Sequence, residues 1–161
     1  MTTVRIRQRS TVPLNSLVAA LIDFGPGRAE IFGQGHEHWV RVNVRGDTWT
    51  DVTEGSPGAA WERLRCDWSE FNVVPLTTID SNVWRPGGGL MYSLASRGDG
   101  GTDIDLVVVR QGRGMRGRLR AALMALTGRA TLARGLRRSL RAIEHSRPRE
   151  APTGGVSAGG A

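Results

Sequence analysis

Hydrophobic and polar positions alternate along most of the first 111 residues, and after that the apolar spacing changes to three and four. Residues 3–12, TVRIRQRSTV, set Val4, Ile6, Gln8, Ser10 and Val12 on one side and Arg5, Arg7 and Arg9 on the other, which is the period of a half-buried strand. Pro13 ends it. Asn15 or Ser16 can cap a short helix over SLVAALIDF, and Gly25, Pro26 and Gly27 stop that helix and allow a second over GRAEIFG. From His36 the period is two. HWVRVNVRGDTWTDVTEG predicts two strands joined at Gly46-Asp47, a dipeptide suited to tight hairpin turns. AAWERLRCDWS, NVVPLTTIDSNVW, GLMYSLASR and GTDIDLVVVRQ add four strands, so the chain carries seven. Consecutive strands with short turns make an antiparallel meander, and one this long must curl to hide a face.

After Gly114 the apolar residues Met115, Leu119, Ala122, Leu123, Leu126, Ala130, Ala133, Leu136, Leu140 and Ile143 draw one stripe along a helix that ends at Ser146. The same stretch holds eight arginines and one glutamate. The arginines fall largely off the stripe and read as a solvated face whose stems shield its flanks. Gly128 and Gly135 each cost about 1 kcal/mol against Ala in a helix, which predicts a bend or break near Thr127-Gly128. Residues 147–161, RPREAPTGGVSAGGA, offer nothing to bury and read as a disordered tail. The expected architecture is α+β, in the order β-α-α-β6-α, with a seven-stranded curved antiparallel sheet around the long C-terminal helix in one domain over residues 1–146.

Composition narrows the chemistry. A chain of 161 residues with 39% apolar and 23% charged positions is an ordinary globular domain and not a disordered chain. All 22 basic residues are arginine, so Schiff-base chemistry and a phosphate-loop lysine are excluded. The net charge of +7 is divided unevenly: residues 1–110 carry 11 arginines against 13 acidic residues, and residues 111–161 carry 11 against 2. No apolar run approaches the roughly 18 residues a bilayer requires, and MTTVRIRQRS lacks the apolar core of a signal peptide, so a cytoplasmic location is expected. The single Cys66 and the three histidines, His36, His38 and His145, give no metal-site spacing, and neither a metal nor a cofactor is expected.

The order of elements, together with the stretches GDTWTDVTEG, WERLRCDWSE and DSNVWRPGGG and the glycine-punctuated arginine helix, resembles the helix-grip fold of the START-like (SRPBCC) superfamily. The resemblance covers residues 3 to about 146 and is similar to actinobacterial members of the polyketide cyclase/dehydrase kind. It implies a cavity for a hydrophobic small molecule between sheet and helix. No catalytic motif is shared across that superfamily, and no catalytic residue carries over to this chain.

Strand parity suggests what lines such a cavity. If Val4 and Ile6 face inward, so does Gln8; if Val40, Val42 and Val44 do, they bring His38. A two-residue turn at Gly46-Asp47 would pair Val44 with Trp49 and put Trp49 and Asp51 on the same inner face. A carboxylate there would find a partner or take up a proton, and a raised pKa would suit acid–base work. A turn one residue longer would send Asp51 to water. Leu64, Cys66 and Trp68 face in on the next strand, with Cys66 a small buried hydrophobe and not a nucleophile. Leu90, Tyr92 and Leu94, and Ile104, Leu106 and Val108, are the inward sets of the last two strands. With Leu119 and Leu123 from the helix, the expected ligand-binding set is Gln8, His38, Val42, Trp49, Asp51, Trp68, Tyr92, Leu106, Leu119 and Leu123. Three functions follow: a binding or carrier module for a lipid or polyketide-like molecule; an aromatase/cyclase working through Asp51, His38 and Tyr92; and contact of the arginine helix with an anionic membrane or an acidic protein. Nucleic acid is disfavoured by the lack of a helix-turn-helix, zinc or RNA-binding sheet signature.

Overall fold

Alternation becomes a sheet and the three-four spacing a helix. The computed structural model describes residues 1–32, 39–55 and 60–146. In chain order the elements are β1 (Thr2–Ser10), α1 (Leu14–Ile22), α2 (Arg28–Phe32), β2 (Trp39–Arg45), β3 (Trp49–Gly55), β4 (Trp61–Asp67), β5 (Val73–Ser81), β6 (Gly89–Ser96), β7 (Thr102–Arg110) and α3 (Gly114–Ser146). The seven strands form one antiparallel sheet in the order β1-β7-β6-β5-β4-β3-β2, so the first strand closes onto the last and β2 is left at the far edge. His36, His38 and the tail from 147 onward lie outside the described residues.

One face of the sheet carries the core. Val4 and Ile6 of β1, Leu64 and Cys66 of β4, Val74 and Leu76 of β5, Tyr92 and Leu94 of β6, and Ile104, Leu106 and Val108 of β7 are buried there. They pack against Leu14, Leu17, Val18 and Leu21 of α1 and Leu136, Leu140 and Ile143 of α3. The α1 residues follow the helical i, i+3, i+4, i+7 spacing. α1 begins at Leu14 behind Pro13, without a side-chain cap, so neither Asn15 nor Ser16 caps it.

Two bulges curve the sheet. Val42 pairs with Val52 but Val44 with Asp51, leaving Asn43 as the extra residue of β2; its amide donates to Thr53 Oγ1 at 2.8 Å. Arg63 pairs with Asp80 but Leu64 with Thr78, leaving Ile79 extra in β5. An inserted residue bends its strand and turns over the facing pattern beyond it. That is why Thr78 and Ser81, three apart, are both buried.

The Gly46-Asp47 connection is not a two-residue turn. Arg45 pairs with Thr50, and the Gly46 amide donates to the carbonyl of Trp49 at 2.8 Å. The pairing is therefore displaced from the one a tight turn would impose, with consequences for Trp49 and Asp51 described below.

α3 lies along β1. The Thr2 hydroxyl donates to the Ala121 carbonyl at 3.3 Å near one end, and Thr11 bonds Glu144 near the other. The helix runs unbroken past Thr127-Gly128, so no break occurs there. Glycine there serves close approach instead: a Cβ on Gly128 would sit 3.3 Å from Val4 Cγ2, and one on Gly117 would sit 2.2 Å from the Val83 carbonyl oxygen. Gly117→Ala is accordingly expected to lower stability by about 1–3 kcal/mol through overpacking. Gly135→Ala, where a Cβ meets nothing within 4 Å, is expected to raise it by up to about 1 kcal/mol. Urea midpoints of the two variants, measured side by side, check the contrast, and equal shifts would contradict it.

Candidate functional site: a cleft between sheet and helix

A cavity of about 450 Å³ lies where the middle of α3 spans the concave sheet and the α1–α2 corner closes one side. Its walls are Leu64, Leu76, Leu90, Tyr92 and Leu106 from the sheet, Leu21, Ile31 and Phe32 from the corner, and Leu132 and Leu136 from α3. Thr131, Arg134, Arg138 and Ser139 add polar groups on the helix side. The volume falls within the roughly 300–1,000 Å³ usual for small-molecule sites, and apolar walls with few polar groups are their usual composition. A second hollow of about 490 Å³ crosses β1, β7 and β6 beside Arg7, Arg9, Ser93, Ala95, Asp103 and Asp105. These six side chains alternate with the buried core set, Gln8, Leu94 and Ile104 between them complete the lining, and the hollow shares no residue with the cleft.

Two further polar features, one from the corner and one from the sheet, face the cleft. The first is Arg28, a buried arginine on α2. Its Nε donates to Glu54 Oε1 at 2.7 Å, and its Nη1 donates to the carbonyls of Leu21 at 3.0 Å and Asp23 at 3.2 Å. Its guanidinium also lies 4.0 Å from the ring centre of Phe24 and 4.9 Å from that of Phe32. One side chain thus fastens the α1–α2 corner to itself and to β3, with the ring faces supporting the charge.

The second is Tyr92 on β6, 8% exposed. Among the described residues no group hydrogen-bonds its hydroxyl. Burial pushes its pKa up to about 12, although the field of Arg28 opposes this, so the hydroxyl stays protonated and able to donate. Cys66, behind the same wall, is likewise pushed up to about 12 by burial and is a thiol with no thiolate character.

A second buried charge pair sits on the same sheet face. Arg110 of β7 grips Glu62 of β4, with Nη1 at 2.5 Å from Oε1 and Nη2 at 2.9 Å from Oε2, and Nη1 also donates to Thr78 Oγ1 at 2.8 Å. The Thr78 hydroxyl donates to Glu62 Oε1 at 2.5 Å, and the guanidinium lies 5.6 Å from the ring centre of Trp84. Burial raises the Glu62 carboxyl above its ordinary value and lowers Arg110 below its own. Glu62 stands directly across the β3–β4 ladder from Glu54, so the inner sheet face carries two neighbouring carboxylates, each bonded to an arginine.

Of the ten residues expected at the site, Tyr92 and Leu106 line the cleft. His38 lies outside the described residues. Gln8 is on the inner face of β1 but donates to the Arg9 carbonyl at 3.1 Å, away from the cleft. Val42 shares the inner side with Val52, yet on the edge strand β2 it is exposed. Trp68 packs partly buried against the core without reaching the cavity wall.

Trp49 and Asp51 are on the opposite face from that expected: the longer turn shifts the pairing by two residues and keeps the parity, but the Asn43 bulge turns Val44 outward, and Asp51 across from it faces outward too. They stand across from Asp67 and Arg65, on the convex side. Arg65 donates to Asp51 through Nε at 2.8 Å and Nη2 at 3.2 Å, Arg63 Nη2 adds a contact at 3.4 Å, and the Arg65 guanidinium stacks 4.2 Å from the Trp49 ring centre. The carboxylate is buried, but under arginines: the bonds from Arg65 outweigh desolvation and hold it below the ordinary carboxylate range. It is an ionised structural group and not a proton donor in the cleft. Leu119 and Leu123 are exposed on the side of α3 opposite Gly117, which packs against Val83 and Gly112, and Gly128, which packs against Val4 of β1.

The polar wall residues outside the expected set are Arg28 and Glu54 and, on α3, Thr131, Arg134, Arg138 and Ser139, whose arginines read in sequence as part of a solvated face. Glu54 shares the parity of the buried Val52, and following Val52 in place of the turn dipeptide would have turned it inward. Arg28 carries no comparable signal, since one arginine among 22 is marked only by its contacts.

No protein-family model and no curated protein matches this sequence. Solved structures do match in shape. The Zhui aromatase/cyclase from Streptomyces sp. R1128 superposes with a TM-score of 0.69 at 18% identity, covering 96% of this chain and 98% of its own. A START superfamily protein from Mycobacterium smegmatis does so with a TM-score of 0.68 at 10% identity, covering 90% and 99%. Norcoclaurine synthase from Thalictrum flavum, in complex with dopamine and hydroxybenzaldehyde, gives 0.64 at 9% identity, covering 91% and 88%. The chain has the START-like helix-grip fold.

Proposed function

We propose that the protein binds a hydrophobic small molecule, lipid-like or polyketide-like, in the cleft between sheet and α3, with an oxygen of the ligand facing Tyr92. The observation that carries this reading is the Tyr92 hydroxyl: a nearly buried donor, without a hydrogen bond among the described residues, on a stretch of cavity wall that the sheet otherwise builds from Leu64, Leu76, Leu90 and Leu106, with Glu54 at its β3 side. The hydroxyl opens onto the cavity, where a ligand carbonyl or hydroxyl can accept its hydrogen bond, worth about 0.5–1.5 kcal/mol. Two of the other polar wall groups, Arg28 and Glu54, are bonded to each other and suit holding and orienting more than proton shuttling. Solved structures of the same fold include an aromatase/cyclase and a synthase in complex with dopamine and hydroxybenzaldehyde, which supports small-molecule binding as the use of this fold here.

Thermal melting against a library of fatty acids, quinones and polycyclic aromatics tests the proposal, because a ligand that binds only the folded state raises the melting temperature. Tyr92→Phe is expected to weaken the best oxygen-bearing ligand about tenfold, the ~1.4 kcal/mol of a well-made hydrogen bond, while leaving the unliganded melting temperature unchanged or higher. Equal affinity in wild type and Tyr92→Phe would remove the support this reading rests on. Recovery of the ligand chemically unaltered after incubation marks a carrier, and conversion to a cyclised or dehydrated product marks an enzyme.

A further inference from the structure

The apolar stripe expected to bury the whole of α3 does so only in its second half. In the first half Met115, Leu119, Leu123 and Leu126 are 88%, 73%, 58% and 85% exposed. At about 100° per residue these four share one side of the helix, with Arg116 and Arg120 along one border and Arg118 and Arg129 along the other. No aspartate or glutamate occurs from residue 111 to residue 143. A run of large apolar side chains left in water is a marked surface, and here it is bordered on both sides by guanidiniums.

The charge decides what fits it. A second copy would bring arginines against arginines, with no carboxylate on this part of the helix to offset them. A nucleic acid would engage the guanidiniums and leave the leucines in water. A bilayer containing anionic lipid takes both: apolar side chains sink beneath the headgroups, and arginine stems run up to phosphate at their level. Among the described residues no helix is long and apolar enough to cross a membrane, so the geometry is that of a helix lying along the surface.

We infer that the first half of α3 docks flat on an anionic bilayer, through Met115, Leu119, Leu123 and Leu126 in the acyl boundary and the flanking arginines on headgroup phosphates. This surface is separate from the cleft and does not depend on what the cleft holds.

Vesicle flotation tests it, using the full chain with phosphatidylcholine vesicles and with vesicles that also contain phosphatidylglycerol. Wild type is expected to float with the second kind only, and less as salt rises. Leu119→Glu/Leu126→Glu is expected to abolish flotation, and Leu119→Ala/Leu126→Ala to weaken it at least tenfold. Arg116→Gln/Arg120→Gln is expected to weaken it about 25-fold, corresponding to ~1 kcal/mol per arginine at an anionic surface. All four positions are solvent-facing, so circular dichroism and urea midpoints should match wild type. The inference is overturned if wild type ignores anionic vesicles at low salt, if it floats equally with both kinds, or if the leucine variants float as wild type does. It is equally overturned if duplex DNA outcompetes the vesicles at matched salt, or if light scattering shows a dimer in the absence of lipid that Leu119→Glu/Leu126→Glu converts to monomer.

Discussion

Glu62→Ala is expected to be among the most damaging single substitutions in this protein, at about 3–5 kcal/mol, because it strands a buried charge. With the carboxylate gone, the Arg110 guanidinium keeps only Thr78 Oγ1 as a bonding partner and the Trp84 ring nearby. A guanidinium cannot escape by losing its proton. At this chain length the loss corresponds to a fall in Tm of about 6–20 °C. The reciprocal Arg110→Met should cost less, since the stranded group is a carboxyl whose pKa burial already raises. The sign of its pH dependence follows. A carboxyl raised in the folded state contributes its stability in full below the unfolded value of 4.5 and loses it as pH rises through the folded value. The Arg110→Met deficit should therefore be greatest near neutral pH and shrink on acidification towards 4.5. Glu62→Leu/Arg110→Met, which removes both charges, should be more stable than either single variant. Urea denaturation at several pH values measures all of this. A Glu62→Ala protein as stable as wild type would show that the pair is not a buried tie across the sheet.

Arg28→Ala should rival it, again by about 3–5 kcal/mol, since the guanidinium is the shared partner of Glu54 and of two backbone carbonyls at the end of α1. The consequence reaches function. Leu21, Ile31 and Phe32 form one wall of the cleft, and Arg28 is the side chain that ties their corner to β3. Binding of any cleft ligand should therefore fall along with stability. Arg28→Lys separates charge from geometry: an ammonium keeps the charge but lacks the planar fork that serves Glu54, Leu21 and Asp23 together and lies over Phe24, so only partial recovery is expected. Full recovery by lysine in both the urea midpoint and the ligand-induced melting shift would show that charge alone matters there.

The difference between the legible and illegible parts of the site follows from what sets each. Tyr92 and Leu106 sit in strands whose inner parity is declared by several buried neighbours, so their facing could be read from alternation. Trp49 and Asp51 cannot be, because their facing rests on Val42 and Val44 sharing a side, and the extra residue Asn43 puts Val42 inward with Val52 and Val44 outward with Asp51. Arg63 and Arg65 then gave Asp51 the partners that make it structural. Leu119 and Leu123 were misplaced for another reason. Periodicity reports that a helix has an apolar side, but which side touches the sheet depends on how closely two backbones can approach, and here glycine prevailed over leucine.

By itself the sequence determined the number, kind and order of the elements, the antiparallel meander, and the inner faces of β1, β4, β6 and β7. These are consequences of local period and chain connectivity. The tertiary structure alone decided the two bulges, the outward turn of Asp51, the Arg28–Glu54 and Glu62–Arg110 pairs, the cleft, and the exposed leucines at the start of α3. Each of those depends on register between distant strands or on the distance between packed backbones, and a linear pattern of hydrophobic and polar residues encodes neither.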